Sequence, residues 1–301
     1  MYKATVFFLI ALPITAVATG FSDSFEQDST GSNPRGSNSI FDWTDSYLVK
    51  VSDERAYSGS KSLAFSFEGS PDLAADAMSE QRFSLDKKYT DLWFRYKLWV
   101  PENYFHRAPE GPSNNKGLLM LWGDSYSGYS PTVSLHFERK GSTGESYLYS
   151  SWRVNGATAF NFFDPATLSA GGDLANAPVG ISMSDRGTWI DWVINVRAST
   201  IPVASNDWRS GEGNGVVRVW KNGSLILNIS NAHNYYDGSS SDAGGSGDGW
   251  NAGYLIGWAN SGFNEDTTLN IDDFSMGPTS DSVGFELNKP VLGSVRRVLN
   301  E

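Results

Sequence analysis

The chain has 301 residues and no cysteine, which excludes a disulfide framework, a thiol nucleophile and a cysteine-ligated metal. Its formal charge of −11 argues against nucleic acid, whose phosphates call for a basic footprint. With 11 Trp, 13 Tyr, 17 Phe and 31 Gly it reads as a turn-rich β protein whose aromatic content also suits sugar binding.

In chain order, residues 1–18 read as a secretory signal peptide. Lys3 supplies the positive n-region, Val6 to Ile14 the apolar stretch, and Ala16-Val17-Ala18 a small-residue cleavage site. No later apolar run has the length of a membrane helix, so a secreted or periplasmic protein, monomeric and without a membrane span, is expected. The rest divides into one β domain, 19–278, and a less patterned, loosely docked tail, 279–301.

Phe21 to Glu26 opens with alternating aromatics, followed by a Gly/Ser/Asn-rich loop to Asn38. Short strands are predicted at Tyr47–Val51, at Leu63–Phe67 after a turn, and at Arg82–Leu85. Leu92–Val100 alternates strongly, with Phe94, Tyr96, Leu98 and Val100 against Trp93, Arg95, Lys97 and Trp99. After a Pro- and Asn-rich loop, Gly117–Trp122 reads as a buried strand. Thr132–Arg139 turns Val133, Leu135 and Phe137 inward and Ser134, His136 and Glu138 outward; Tyr147–Val154 turns Leu148 and Trp152 inward and Tyr147, Tyr149, Ser151 and Arg153 outward. Residues 155–184 read as one long irregular loop, a candidate functional wall.

Trp189–Arg197 and Val216–Asn228 then form an antiparallel ribbon, whose second half is a hairpin closed by Asn222-Gly223, the pair suited to a type I′ turn. A Gly/Ser/Asp loop spans Asp237–Asp248, and strands Gly253–Trp258 and Thr267–Met276 end the domain. About a dozen strands without an amphipathic helix mean an all-β sandwich or jelly roll.

Ser24-Phe25-Glu26, Tyr57-Ser-Gly-Ser-Lys-Ser-Leu63, Gly187-Thr-Trp189 with Val217-Arg-Val-Trp-Lys-Asn-Gly223, and Leu269-Asn-Ile-Asp-Asp-Phe274 together resemble the concanavalin A-like lectin/glucanase superfamily, most of all its polysaccharide-lyase branch. The resemblance covers nearly the whole chain after residue 18. It implies a jelly-roll β-sandwich of two antiparallel sheets in which a curved sheet forms a glycan groove. It is specific for architecture and weak for activity, since this fold carries lectins, hydrolases and lyases.

The outward residues include five cations in an acidic protein, interleaved with aromatics, as an anionic polysaccharide partner would require. A lyase must neutralise a uronate carboxylate, take the proton at C5 and protonate the leaving oxygen. His136, Tyr147, Tyr149 and Lys97 are the catalytic candidates. Trp93, Arg95, Trp99, Glu138, Arg153, Asn195, Arg197, Arg218 and Trp220 are the substrate-binding ones. Their convergence requires that these strands share one cleft; on two different sheets they never meet. A non-catalytic glycan-binding module on the same face is the alternative. A glycoside hydrolase ranks third because no Glu-x-Asp-x-x-Glu strand occurs, with a structural or adhesive protein beside it. No cofactor is required, although Glu26 with Asp272 or Asp273 would suit a structural Ca²⁺ if the first and last strands pair.

Overall fold

Period-two alternation of large apolar side chains gives each strand one face to bury, and two such sheets bury them against each other. A computed structural model describes residues 20–108, 114–123, 126, 132–154, 158–162, 177–201, 213–232 and 249–287, with the backbone alone described for 152–154 and 158–162. These residues form β1 (Phe21–Asp23), β2 (Phe41–Tyr47), β3 (Val49–Ser52), β4 (Ser62–Phe67), β5 (Ala77–Tyr89), β6 (Asp91–Val100), β7 (Asn115–Trp122) and β8 (Thr132–Lys140). They continue with β9 (Glu145–Val154), β10 (Thr158–Phe162), β11 (Val179–Ile181), β12 (Thr188–Arg197), β13 (Gly215–Lys221), β14 (Ser224–Ala232), β15 (Trp250–Ala259) and β16 (Thr267–Gly277).

The back sheet runs β14-β13-β12-β6-β16-β4-β3, with β1 on β16. The front sheet runs β10-β9-β8-β7-β15-β5-β2, with β11 on β9. Between named strands every pairing is antiparallel. The expected jelly-roll sandwich is the fold.

Register explains the core. On the back sheet Val51, Leu63, Ile271, Leu98 and Ile190 are successive cross-strand partners, and none is more than 1% exposed. On the front sheet the corresponding row is Val133, Leu121, Gly253, Phe83 and Trp43. A Cβ at Gly253 would sit 2.4 Å from the Phe83 ring and 2.5 Å from the Met120 carbonyl, so only glycine lets that ring lie over the sheet. The ribbon matches its alternation: Ile190, Trp192, Ile194 and Val196 are fully buried. Asn222 (φ 50°) and Gly223 (φ 79°) both lie in the left-handed region that a type I′ turn demands.

Three features differ from the sequence expectation. The stretch 155–184 is not one loop, because β10 and β11 lie in it and both pair with β9. β2, carried by Phe41 and Trp43, was hidden behind its Asp and Ser residues. β5 is 13 residues long rather than four, because Ser79, Glu80 and Gln81 are buried in it despite being polar. The signal-like stretch 1–18, the loop 237–248 and residues 288–301 lie outside the described residues.

Candidate active site on the front sheet

The outward candidates fall on the two opposite faces of the sandwich. Trp93, Arg95, Lys97 and Trp99 are on β6, Asn195 and Arg197 on β12, and Arg218 and Trp220 on β13, all in the back sheet. His136, Glu138, Tyr147, Tyr149 and Arg153 are on β8 and β9 of the front sheet. Lys97 is therefore no partner for His136: the core and both sheets separate their outward faces.

The back-sheet groups are also engaged locally. Trp93 and Trp220 stack with centroids 5.6 Å apart, and Val283 and Phe285 pack over them. Residues 281–285, the start of the expected loose tail, thus lie on this face, where Arg95 Nη1 donates to the Gly284 carbonyl. Arg95 and Lys97 both pair with Asp191, at 2.9 and 3.2 Å. Arg55 lies 3.9 Å over Trp99. Asn195 is buried and donates to Asp91 at 2.8 Å; Arg218 Nε donates to Asn228, and Arg197 Nη2 donates to the Asn214 carbonyl. Aromatics and cations here read as a groove in the sequence because alternation reports the face of a strand and not the sheet it joins.

The Ca²⁺ expectation meets a similar obstacle. β1 and β16 do pair, through Phe21↔Met276 and Asp23↔Phe274. The carboxylates, however, are filled with N–H and O–H donors. Glu26 accepts the Ser60 and Lys61 amides at 2.9 and 2.8 Å, and Asp272 accepts those of Tyr57 and Ser58 at 2.7 and 3.0 Å, while Asp273 accepts the Ser58 hydroxyl. The Glu26 and Asp28 carbonyls, which would suit a cation, hold the Lys61 ammonium at 2.9 and 2.6 Å. These residues do not fit the ion, and among the described residues no group of three His, Asp or Glu gathers elsewhere.

On the front sheet the sequence candidates do come together. His136 and Tyr149 are direct cross-strand partners, with rings 12° from parallel and centroids 5.0 Å apart. Both are buried, at 7% and 1% exposure. Burial first, and then the nearby Lys116 charge, pushes the imidazole pKa down from 6.5 to about 3. Burial first, and then the Glu138 charge, pushes the Tyr149 phenol up, against a hydrogen bond with Asn114. At neutral pH this is a neutral imidazole face to face with a protonated phenol.

The imidazole is held by a ring of three polar atoms. Ser134 Oγ lies 2.6 Å from His136 Nε2, Ser151 Oγ lies 2.9 Å from it, and the two hydroxyls are 2.8 Å apart. An imidazole nitrogen either donates or accepts, so Nε2 plays one of these roles toward the hydroxyl pair while the two hydroxyls bond each other. The favoured tautomer carries its hydrogen on Nε2, where it donates to the nearer hydroxyl, Ser134 Oγ. Nδ1, buried and without a hydrogen-bond partner, then carries the free lone pair. The other tautomer would bury an unsatisfied N–H at Nδ1, a cost of about 1–3 kcal/mol.

Lys116 escaped the sequence reading. It is the cross-strand partner of His136 from β7, half-buried and close enough to depress the imidazole. It shares the outward face with Met120 and Trp122, at the same parity, but the apolar run reads as a strand only from Gly117, one residue after it. Glu138 and Tyr147 form the next cross-strand pair, with the Lys140 ammonium 5.9 Å from the Tyr147 ring. The Arg153 side chain lies outside the described residues. A separate cleft of about 200 Å³ is lined by Glu102, Asn103, Phe105, Arg186, Phe263, Asn264, Glu265 and Thr267, none of them on β8 or β9.

The family model described as polysaccharide lyase matches residues 33–275. Among solved structures, an endo-β-1,4-glucuronan lyase from the fungus Trichoderma reesei is 13% identical, with 80% of this chain and 93% of that chain covered and a TM-score of 0.51. A mutant alginate lyase in complex with an alginate tetrasaccharide is 9% identical (88% and 98% covered, TM-score 0.49). A prokaryotic β-1,3-1,4-glucanase (lichenase) derived from a mouse hindgut metagenome is 10% identical (87% and 100% covered, TM-score 0.41). No curated protein matches the chain. Identities this low speak to the fold, and the family match speaks to membership. By that match over most of its length, the chain belongs to the polysaccharide lyase family.

Proposed function

We propose that this lyase is exported, acts as a monomer, and cleaves a uronate-containing glycan by β-elimination on the outward face of the front sheet. Lys116 neutralises the C5-linked carboxylate and so acidifies the C5–H bond. His136 Nδ1 accepts that proton once the sugar displaces the side chains that cover the nitrogen in the free enzyme. The C–H electron pair forms the C4=C5 double bond as the C4–O bond breaks, and the Tyr149 phenol gives its proton to the leaving oxygen. Glu138 and Tyr147 flank the reacting sugar on one side. The observation carrying this reading is the stacked pair itself: a base kept neutral and an acid kept protonated by the same buried setting.

Export is supported by the signal-like residues 1–18. Among the described residues no helix is long and apolar enough to cross a membrane. The test is product chemistry on a panel of glucuronan, alginate, pectate and neutral glucans. Ultraviolet-absorbing unsaturated ends from a uronate polymer alone support the reading. Saturated reducing ends from a neutral glucan would replace it with hydrolysis, and binding without cleavage would replace it with the lectin-like module.

A further inference from the structure

One row of cross-strand partners runs across the front sheet: Ser151 on β9, Ser134 on β8, Met120 on β7, Tyr254 on β15 and Arg82 on β5. Two residues in register across antiparallel strands face the same side, so Arg82 shares the outward face of the Ser134–His136 site. Three strand spacings separate Arg82 from Ser134, roughly 14 Å. That backbone spacing suits a neighbouring sugar along the chain better than the one whose proton Nδ1 takes.

Arg82 is built into the face. Glu80, 4% exposed, accepts a hydrogen bond from its Nε at 2.5 Å and fixes one edge of the guanidinium. The Trp122 and Tyr126 rings lie 5.9 and 5.2 Å from its central carbon. Beneath it Met120, Trp122 and Tyr254 form a separate buried apolar cluster, which gives the position a rigid floor. The Arg82 side chain is nonetheless 33% exposed, and Tyr126 beside it is 38% exposed. Among the described residues Nη1 and Nη2 have no hydrogen-bond partner, and a planar pair of N–H groups is what binds a carboxylate in two parallel bonds.

We infer that Arg82 binds the carboxylate of a second, non-reacting uronate of the same chain, with Tyr126 as the apolar plane for its sugar ring. This rests on the lyase reading above. The site makes the enzyme sensitive to chain length, and it selects polymers that carry charge on sugars other than the one cleaved.

The experiment compares the parent enzyme with Glu80→Gln/Arg82→Gln, in which no buried carboxylate loses its partner, and with Arg82→Lys. Each is assayed on a uronate polymer and on the shortest cleavable oligosaccharide, with thermal unfolding as the check on folding. For the double variant the ratio of polymer to oligosaccharide kcat/KM should fall about tenfold, through KM on the polymer. Arg82→Lys, which keeps charge but not the fork, should fall part of the way. An unchanged ratio, or equal losses on both substrates, would overturn the inference. If the parent cleaves no uronate polymer at all, it is the lyase reading that falls.

Discussion

His136 and Tyr149 face each other across β8 and β9, in register and nearly parallel, on the one face of the sandwich where an uncharged base is enforced by burial. That enforcement has a cost that pH can expose. The folded imidazole titrates near 3, against 6.5 in the unfolded chain, so between these values the unfolded chain holds a proton that the folded one does not. Stability from this group is present above about pH 6.5 and is lost as pH falls toward 3. The loss is at most about 5 kcal/mol, at about 1.4 kcal/mol per pKa unit. Denaturant unfolding at pH 7 and pH 4 should show a smaller acid loss in His136→Gln than in the parent; equal losses would mean the imidazole is not held neutral.

The back-sheet face predicts silence. Trp99→Ala and Arg197→Ala should leave kcat/KM on the polymer within about twofold, because surface changes far from the chemistry are usually small in effect. A tenfold drop would return these residues to a substrate groove.

Arg107 is a structural test of the loops that meet at one end of the sandwich. Its guanidinium is buried and donates to five backbone carbonyls, those of Ser261, Ser70, Phe263, Asp72 and Ala75. Arg107→Met removes every donor and should cost about 3 kcal/mol or more. Arg107→Lys should recover little, because one ammonium offers three hydrogens from a single point. Denaturant unfolding of both variants measures this.

How much of this was legible beforehand depended on what alternation can encode. Leu98 and Ile190 read as core because each falls in a period-two row of apolar residues, and Asn222-Gly223 named its own turn. Lys97 and His136, in contrast, sit in strands that alternate in the same way. Nothing local in either says that β6 pairs with β12 and β16 while β8 pairs with β7 and β9. Face is a local property and sheet membership is not. Lys116 was lost because the apolar run of its strand begins one residue after it, and Arg82 to the polar look of a strand whose Ser79, Glu80 and Gln81 are buried.

The clasp of residues 57–61 by Glu26, Asp272 and Asp273 leads to a metal prediction. The cation on the Glu26 and Asp28 carbonyls is the Lys61 ammonium. A chelator should therefore leave the melting temperature unchanged, whereas Lys61→Met should lower it. A clear drop with chelator that calcium restores would contradict this.

The most direct test of the central claim is the rate of unsaturated-product formation on a uronate polymer by His136→Ala and Tyr149→Phe, measured beside the folded parent. Tyr149→Phe keeps the stacked ring and removes the hydroxyl that carries the proton, and His136→Ala removes the imidazole with its lone pair at Nδ1. The account predicts a fall of about 10²–10⁴ in kcat for each, since that is what a positioned acid or base contributes. Cleavage at the parent rate by either variant would contradict it.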